Sequence, residues 1–264
     1  TNPDLRNTHN TALQVKDAAV DYFKEKFNRR PRVEKFQPDA RFHLRLEKNN
    51  LGVLSLDLSG VSLHQRGYRL EAGAAPLRET LAAALLIRAG WPEKAEQGWA
   101  LFDPFCGSGT LLVEAALMQL DIAPGLLRPW HGLESWLVHT GQSANKDGVL
   151  NKSQGQEVWQ QLLEEAKERR AAKAASQLLI FGADNNPQVL DAAFNNLTRA
   201  GLAEKIPLKH AQVEDLTLPA GLSPTSQGLL ITNPPYGERL EDLPQLASTY
   251  AALGNKFAEE LPNW

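Results

Sequence analysis

From Trp99 onward the sequence predicts an α/β protein on a Rossmann-like parallel sheet of the doubly wound kind. Short apolar runs of strand length alternate with helical patterns: Trp99–Asp103, Leu178–Asp184, Leu208–Val213 and Leu229–Thr232 are separated by helix-spaced segments. A glycine loop, Cys106-Gly107-Ser108-Gly109-Thr110, joins the first of these strands to a helix. The first two strands each end in an aspartate, Asp103 and Asp184, where parallel sheets place their ligands.

The elements follow in order. Residues 11–27 set Leu13, Val15, Ala19, Val20, Phe23 and Phe27 near helical spacing, and Asn28-Arg29-Arg30-Pro31-Arg32 ends that helix. Residues 41–47 alternate as a half-buried strand. Asn49-Asn50 marks a turn, and residues 52–58 alternate again, so a hairpin is expected. A helix plus a hairpin is too little for an independent domain, and residues 1–70 read as the end of a larger α+β unit. Residues 76–89 predict a helix with Pro76 in its first turn, stopped by Gly90-Trp91-Pro92. Residues 109–120 predict the helix after the glycine loop, 121–155 an irregular stretch, and 157–175 a charged surface helix. Residues 187–200 form a helix framed by Pro187 and Gly201. Only four strands are readable after Trp99, so the sheet is expected to be truncated at its C-terminal end.

Composition narrows the class. The 264 residues are 42% hydrophobic, and no apolar run reaches the ~20 residues of a membrane span. The start has no signal-peptide pattern, and Cys106 is the only cysteine, which fits a reducing, cytoplasmic setting. The six histidines are scattered without metal-ligand spacing, so no metal is expected. The formal charge of −3 excludes a simple basic nucleic-acid binder. It conceals an asymmetry: residues 1–70 carry 13 Lys/Arg against 8 Asp/Glu, and residues 71–264 carry 15 against 23. A basic front end on an acidic body fits a phosphate-contacting module joined to an enzyme, although an uneven spread of solvated charge gives the same totals.

Two segments carry chemistry. Glycines in 106–110 let backbone approach a ligand, and the helix that follows offers its N-terminus to a carboxylate. The segment lacks the lysine of a phosphate-binding P-loop, and position 112 is leucine, which breaks the dinucleotide fingerprint. Asp103 can pair with an ammonium group. Asp184 can accept ribose hydroxyls, or cap the turn before Pro187. Asp215 can accept from an adenine amine, with Glu214 as competitor, or lie on the surface. The second segment is Asn233-Pro234-Pro235-Tyr236. Two prolines fix the backbone and leave the Pro234 carbonyl without a neighbouring N–H. That carbonyl and the Asn233 side-chain oxygen can accept both hydrogens of one planar NH₂, while Tyr236 offers a face on which an extruded base stacks. Covalent attack on a base carbon would need a nucleophilic thiol beside the base. This loop has none, so the planar amine nitrogen is the expected reacting atom and Cys106 reads as a packing residue.

DPFCGSGT followed by TNPPYG resembles the amino-methyltransferase branch of the S-adenosylmethionine-dependent class I enzymes. Asp57-Leu58-Ser59-Gly60, Leu63-His64-Gln65-Arg66-Gly67-Tyr68-Arg69 and Ala75-Pro76-Leu77-Arg78-Glu79-Thr80 resemble the junction between a THUMP domain and the methyltransferase of bacterial 23S rRNA guanine-N2 methyltransferases. The resemblance implies the C-terminal part of an RNA-binding THUMP domain over 1–70, a methyltransferase domain over 71–264 without its last strands, and a further C-terminal domain beyond. It implies that Asp103, Gly107 and Thr110 meet the methionine moiety, with Phe105 and Gly109 in the same loop. It assigns Asp184 to the ribose and Asp215 to the adenine, and places Arg78 and Thr80 on the helix over the cofactor. Asn233, Pro234 and Tyr236 then hold the guanine. The polar run 141–155 resembles an insertion. Transfer-RNA guanine-N2 methylation, DNA adenine-N6 methylation and a catalytically dead RNA-binding scaffold are the competing readings; the THUMP-like junction favours RNA.

Overall fold

The computed structural model describes residues 8–34, 38, 40–47, 51–70, 77–128, 132, 152–223, 225–235, 243–261 and 263–264. Tyr236, Pro76, the Asn49-Asn50 turn and residues 141–151 of the polar run lie outside them. Contacts divide the chain into two compact units, Thr1–Ser62 with Trp130–Trp159 and Leu63–Pro129 with Gln160–Trp264. Residues 63–70, grouped by their sequence with the front end, therefore pack within the second unit.

The first unit holds α1 (Thr8–Phe27) and a hairpin of β1 (Arg41–Leu46) and β2 (Gly52–Asp57), paired antiparallel with Arg41 opposite Asp57 and Leu46 opposite Gly52. The alternation in the sequence sets this register, since a one-residue slip would turn every side chain to the other face. Asp57 ends β2 by accepting from the Ser59 amide at 2.9 Å and the Ser59 hydroxyl at 2.6 Å.

Among the described residues, the second unit is layered around a four-stranded parallel sheet. Its elements are α2 (Glu79–Arg88), α3 (Trp91–Glu96), β3 (Ala100–Asp103), α4 (Thr110–Gln119), most of α5 (Lys152–Ala172), β4 (Ile180–Asp184), α6 (Pro187–Ala200), β5 (Leu208–His210), β6 (Gly228–Leu230) and α7 (Leu243–Glu260). The strand order is β5-β4-β3-β6. Two consecutive crossovers run outward from β3, and the third returns to its other side, so the order reverses at β3. This is the position where an open parallel sheet leaves a crevice at its carboxyl edge.

Several elements differ from expectation: α2 begins at Glu79 rather than 76, with Arg78 at its N-cap, and β6 ends at Leu230 rather than 232. Gly90 ends α2 in the left-handed conformation (φ 72°) and also starts the short helix α3, with Pro92 in its first turn. Proline that stops one helix is suited to open the next. The third strand stops at His210, and a 3-10 turn, Val213–Asp215, follows it. Helix α5 begins at Lys152 rather than 157, taking in polar residues that read as loop because Gly155 sits among them.

Helix α4 is the core helix. Its residues 110–117 are all buried, against Leu86 of α2, Leu101 and Ile180 of the sheet and Leu197 of α6. The Trp91 indole N–H donates to the Ala115 carbonyl at 3.0 Å, fixing α3 against it. Arg169 of α5 holds Asp121 through two parallel bonds of 2.7 and 2.9 Å. Gly182 in β4 is required by packing: a Cβ there would lie 2.4 Å from Leu112 Cδ1 and 3.2 Å from Cys106 Sγ. Leu112 is fully buried and has nowhere to move. Gly182→Ala is expected to cost about 1–3 kcal/mol by overpacking, read as a lowered urea midpoint with an unchanged m-value.

Candidate active site

The crevice is built from the carboxyl ends of three adjacent strands. At the end of β3, Asp103 is 1% exposed. Its Oδ1 accepts from the Thr232 hydroxyl at 2.6 Å and from the Phe105 amide at 3.2 Å. Among the described residues no hydrogen bond reaches its Oδ2. Burial pushes the Asp103 pKa up to about 7; the bonds from Thr232 and Phe105 oppose the rise, and the neighbouring charge of Asp184 adds to it.

At the end of β4, Asp184 Oδ2 accepts from the Gly107 amide at 2.9 Å, and Oδ1 accepts from the Asn186 amide at 3.0 Å. The helix cap itself is Asn186, whose side chain accepts from the amides of Gln188 and Val189. Asp184 thus joins the second strand to the glycine loop. Gly107 has φ 53°, and a Cβ there would meet nothing within 4 Å, so the loop faces open space at this point. Gly109 has φ 78° and lies close over α6, where a Cβ would meet that of Ala193 at 3.3 Å. Asn196 of α6 donates to the Ser108 carbonyl at 3.0 Å and supports the loop from below. Phe105 is partly exposed at the start of this loop.

After β6 the chain runs through Thr232, Asn233, Pro234 and Pro235. The Ile231 amide still donates to the Phe102 carbonyl at 3.2 Å, which keeps this segment alongside β3. Asn233 is exposed, and the Pro235 carbonyl accepts from the Tyr250 hydroxyl of α7 at 3.0 Å. The loop is therefore anchored at Thr232 and at Pro235, with Asn233 between the two anchors.

The other residues singled out from the sequence are placed less centrally. Thr110 is buried at the start of α4, where its hydroxyl accepts from Arg69. Arg78 and Thr80 are exposed at the start of α2, and Asp215 is exposed in its 3-10 turn. Cys106 is buried, and burial raises its thiol pKa well above the ordinary value.

No role for the charges beneath the loop is legible in the sequence pattern. Arg69 also donates to the Leu77 carbonyl at 2.6 Å and pairs with Glu79 at 3.4 Å. Glu114, 2% exposed, accepts from the Tyr68 hydroxyl at 2.9 Å and pairs with Arg66 at 3.0 Å. Burial lifts the Glu114 pKa to about 7, against the attraction of Arg66. The signal was a lone acid within the apolar run of α4, since a buried charge requires a partner. Two of the 13 basic residues before position 71 are thus structural.

A parallel sheet reversed at its first strand, with a glycine loop and acids at its carboxyl edge, defines a Rossmann-like methyltransferase fold. Residues 66–264 match the family model described as the RMKL-like methyltransferase domain, and residues 4–56 match that of the THUMP domain. The chain belongs to the RMKL-like methyltransferase family. It is 44% identical over 98% of its length to the ribosomal RNA large subunit methyltransferase K/L of Syntrophotalea carbinolica, and 48% identical over 98% to that of Pseudomonas aeruginosa. It spans 34% of each of these relatives. Among solved structures it is similar to a Listeria monocytogenes protein described as a predicted N6-adenine-specific DNA methylase, with 32% identity and a TM-score of 0.74, covering 95% of this chain and 58% of that one. It is also similar to SMU.472, described as a methyltransferase complexed with SAH, with 30% identity and a TM-score of 0.71, covering 92% of this chain and 57% of that one. Among the described residues no helix is long and apolar enough to cross a membrane, and no cluster of metal-ligating side chains is present.

The Asp103 carboxyl keeps its proton to about pH 7 in the folded chain, against an ordinary value of 3.8. Its contribution to stability is complete below the unfolded value and is lost as pH rises from about 4 to 7. Asp103→Asn keeps an acceptor for Thr232 and should flatten this loss, on the order of 4 kcal/mol at most. Urea unfolding at pH 4.5 and 7.5 measures it, and Glu114, also raised to about 7 by burial, contributes to the slope left in the variant.

Proposed function

We propose that this chain binds S-adenosylmethionine at the carboxyl edge of β3 and β4 and directs its methyl group to the exocyclic N2 amine of a guanine in 23S ribosomal RNA. The observation that carries the reading is the anchored loop after β6, which holds Asn233 exposed beside the acid of β3. The relatives named as large-subunit rRNA methyltransferases support the RNA class, and the THUMP match over 4–56 favours it over the DNA adenine named for the Listeria neighbour.

The residues present fit the cofactor. Asp103 Oδ2 is the oxygen left for an ammonium. The open face at Gly107 leaves room where backbone must come close. The start of α4 suits a carboxylate. In this reading Phe105, Gly107, Gly109 and Thr110 form the methionine cradle, with Arg78 and Thr80 at the nearby start of α2. Asp184 keeps lone pairs for the ribose hydroxyls beyond its two amide bonds, and Asp215 is the acceptor for adenine. Bound S-adenosylmethionine supplies an activated methyl group on its sulfonium. The protein's task is then positioning, which suffices where the electrophile is already reactive. Asn233 and the Pro234 carbonyl accept the two hydrogens of the guanine amine and aim its lone pair, while Tyr236 stacks on the base. No strong base is needed, because the amine becomes acidic once alkylated. Residues 1–70 add RNA affinity, and the longer protein is expected to carry a further C-terminal domain.

Asn233→Ala in the full-length protein should lower kcat by about 10²-fold, by analogy with removing one aligned hydrogen bond at a reacting centre, and leave cofactor Kd nearly unchanged. Tyr236→Ala should also raise the KM for RNA, since stacking contributes ~1–3 kcal/mol per base. Methyl transfer to rRNA, with mass mapping of the modified guanine, checks both. Near-normal turnover in Asn233→Ala would reject the amine-positioning mechanism.

Arg29, Arg30 and Arg32 are exposed just after α1. Replacing all three by Ala should reduce the log-log salt slope of RNA binding by ~0.7 for each lost phosphate contact with single-stranded RNA. Filter binding across a salt series reads this out, and an unchanged slope marks the cluster as solvated surface.

A further inference from the structure

We propose that Thr232 is a positioning residue that couples the cofactor side of the site to the amine side: its hydroxyl turns the Asp103 carboxyl so that Oδ2 faces the cofactor's ammonium, and the same bond fixes where Asn233 begins. This rests on the reading above. Thr232 and Asp103 are 129 residues apart in sequence, yet the segment that follows β6 runs beside the end of β3 and the two side chains meet at 2.6 Å. Both hydrogen bonds to Asp103 among the described residues fall on Oδ1, from Thr232 Oγ1 and from the Phe105 amide. Two donors on one oxygen fix the carboxyl plane and leave the other oxygen to accept a charge. The side chain is almost wholly buried, so it cannot reorient into water.

Threonine is the residue type this requires. Its stiff χ1 holds the hydroxyl in one direction. Its backbone continues directly into Asn233, so a displacement at Thr232 is passed to the amine acceptor. Pro234 and Pro235 remove the torsional freedom that would absorb such a displacement.

The electrostatics act in the same direction. Among the described residues, the groups facing Asp103 are Asp184 from β4, the Cys106 thiol and the Phe105 amide from the glycine loop, and Thr232 from the segment after β6. Burial and the charge of Asp184 favour the protonated acid, while the Thr232 and Phe105 bonds favour the carboxylate. The ammonium requires the carboxylate. Cofactor affinity therefore rises as pH increases through the Asp103 transition, and loss of the Thr232 hydroxyl moves that rise to higher pH.

The test is calorimetric titration of the full-length protein with S-adenosylhomocysteine from pH 5.5 to 8.5, together with methyl transfer to rRNA. Thr232→Val keeps the shape and removes the donor; Thr232→Ser keeps the donor. Thr232→Val should move the midpoint of the affinity rise about one pH unit alkaline, the tenfold change in acid dissociation that one hydrogen bond to a charged group produces. It should also lower kcat about tenfold or more at a pH where cofactor saturates. Thr232→Ser should restore the midpoint and most of kcat, and Asp103→Asn should abolish the pH dependence. If the wild type binds with the expected rise and the Thr232→Val curve and kcat coincide with it, the coupling role is wrong while the cofactor site stands. If the wild type binds no S-adenosylhomocysteine at any pH, the functional reading falls, and this proposal with it.

Discussion

The parallel pairing of β3 with β4 on one side and β6 on the other is the constraint on which the site depends. Leu101 and Phe102 are in register with Ile180 and Phe181 of β4 and with Leu229 and Leu230 of β6. That register carries Asp103, Asp184 and Thr232 to one edge, although the chain between them runs through 129 residues. A shift of one residue in either pairing would turn an acid or the threonine to the other face of the sheet. The burial of all four β3 residues holds the register.

The glycine loop depends on this arrangement more than on its own conformational freedom. Asp184 holds the Gly107 amide from one side, Asn196 holds the Ser108 carbonyl from beneath, and Arg69 holds the Thr110 hydroxyl at its end. Glycine at 107 and 109 permits the turn, and these three side chains select it. The charged pairs below, Arg69 with Glu79 and Arg66 with Glu114, carry a desolvation cost that the Tyr68 hydroxyl and the Leu77 carbonyl partly offset. Such a cluster contributes less to net stability than to fixing one geometry, because breaking any single pair leaves an uncompensated charge in the core.

Much of this was legible in the sequence, for physical reasons that can be named. Strand–helix alternation, the Pro187 and Gly201 boundaries of α6 and the hairpin of β1 and β2 depend on local pattern, and local pattern is what a sequence displays. Asp103 and Asp184 were readable as strand-terminal acids because their position follows from the strands themselves. The partners of these acids were not readable. That Thr232 serves Asp103, or that Tyr68 and Arg66 serve Glu114, is a consequence of tertiary packing between segments with no sequence relation. Thr110 was readable as the start of a helix, but not as the acceptor of Arg69. The short helix α3 was missed because its proline signals an end and a beginning equally well.

The burial of Cys106 has a consequence for redox behaviour. The thiol lies against β4, 3.2 Å from where a Gly182 side chain would start, and burial together with the charges of Asp103 and Asp184 suppresses its thiolate. A suppressed thiolate is a poor nucleophile and reacts slowly with peroxide, disulfides or alkylating reagents. Because the sequence contains no other cysteine, these 264 residues offer oxidants almost no sulfhydryl target while folded. Alkylation of Cys106 would instead report opening of the core, which makes its labelling rate a built-in clock for unfolding of the sheet.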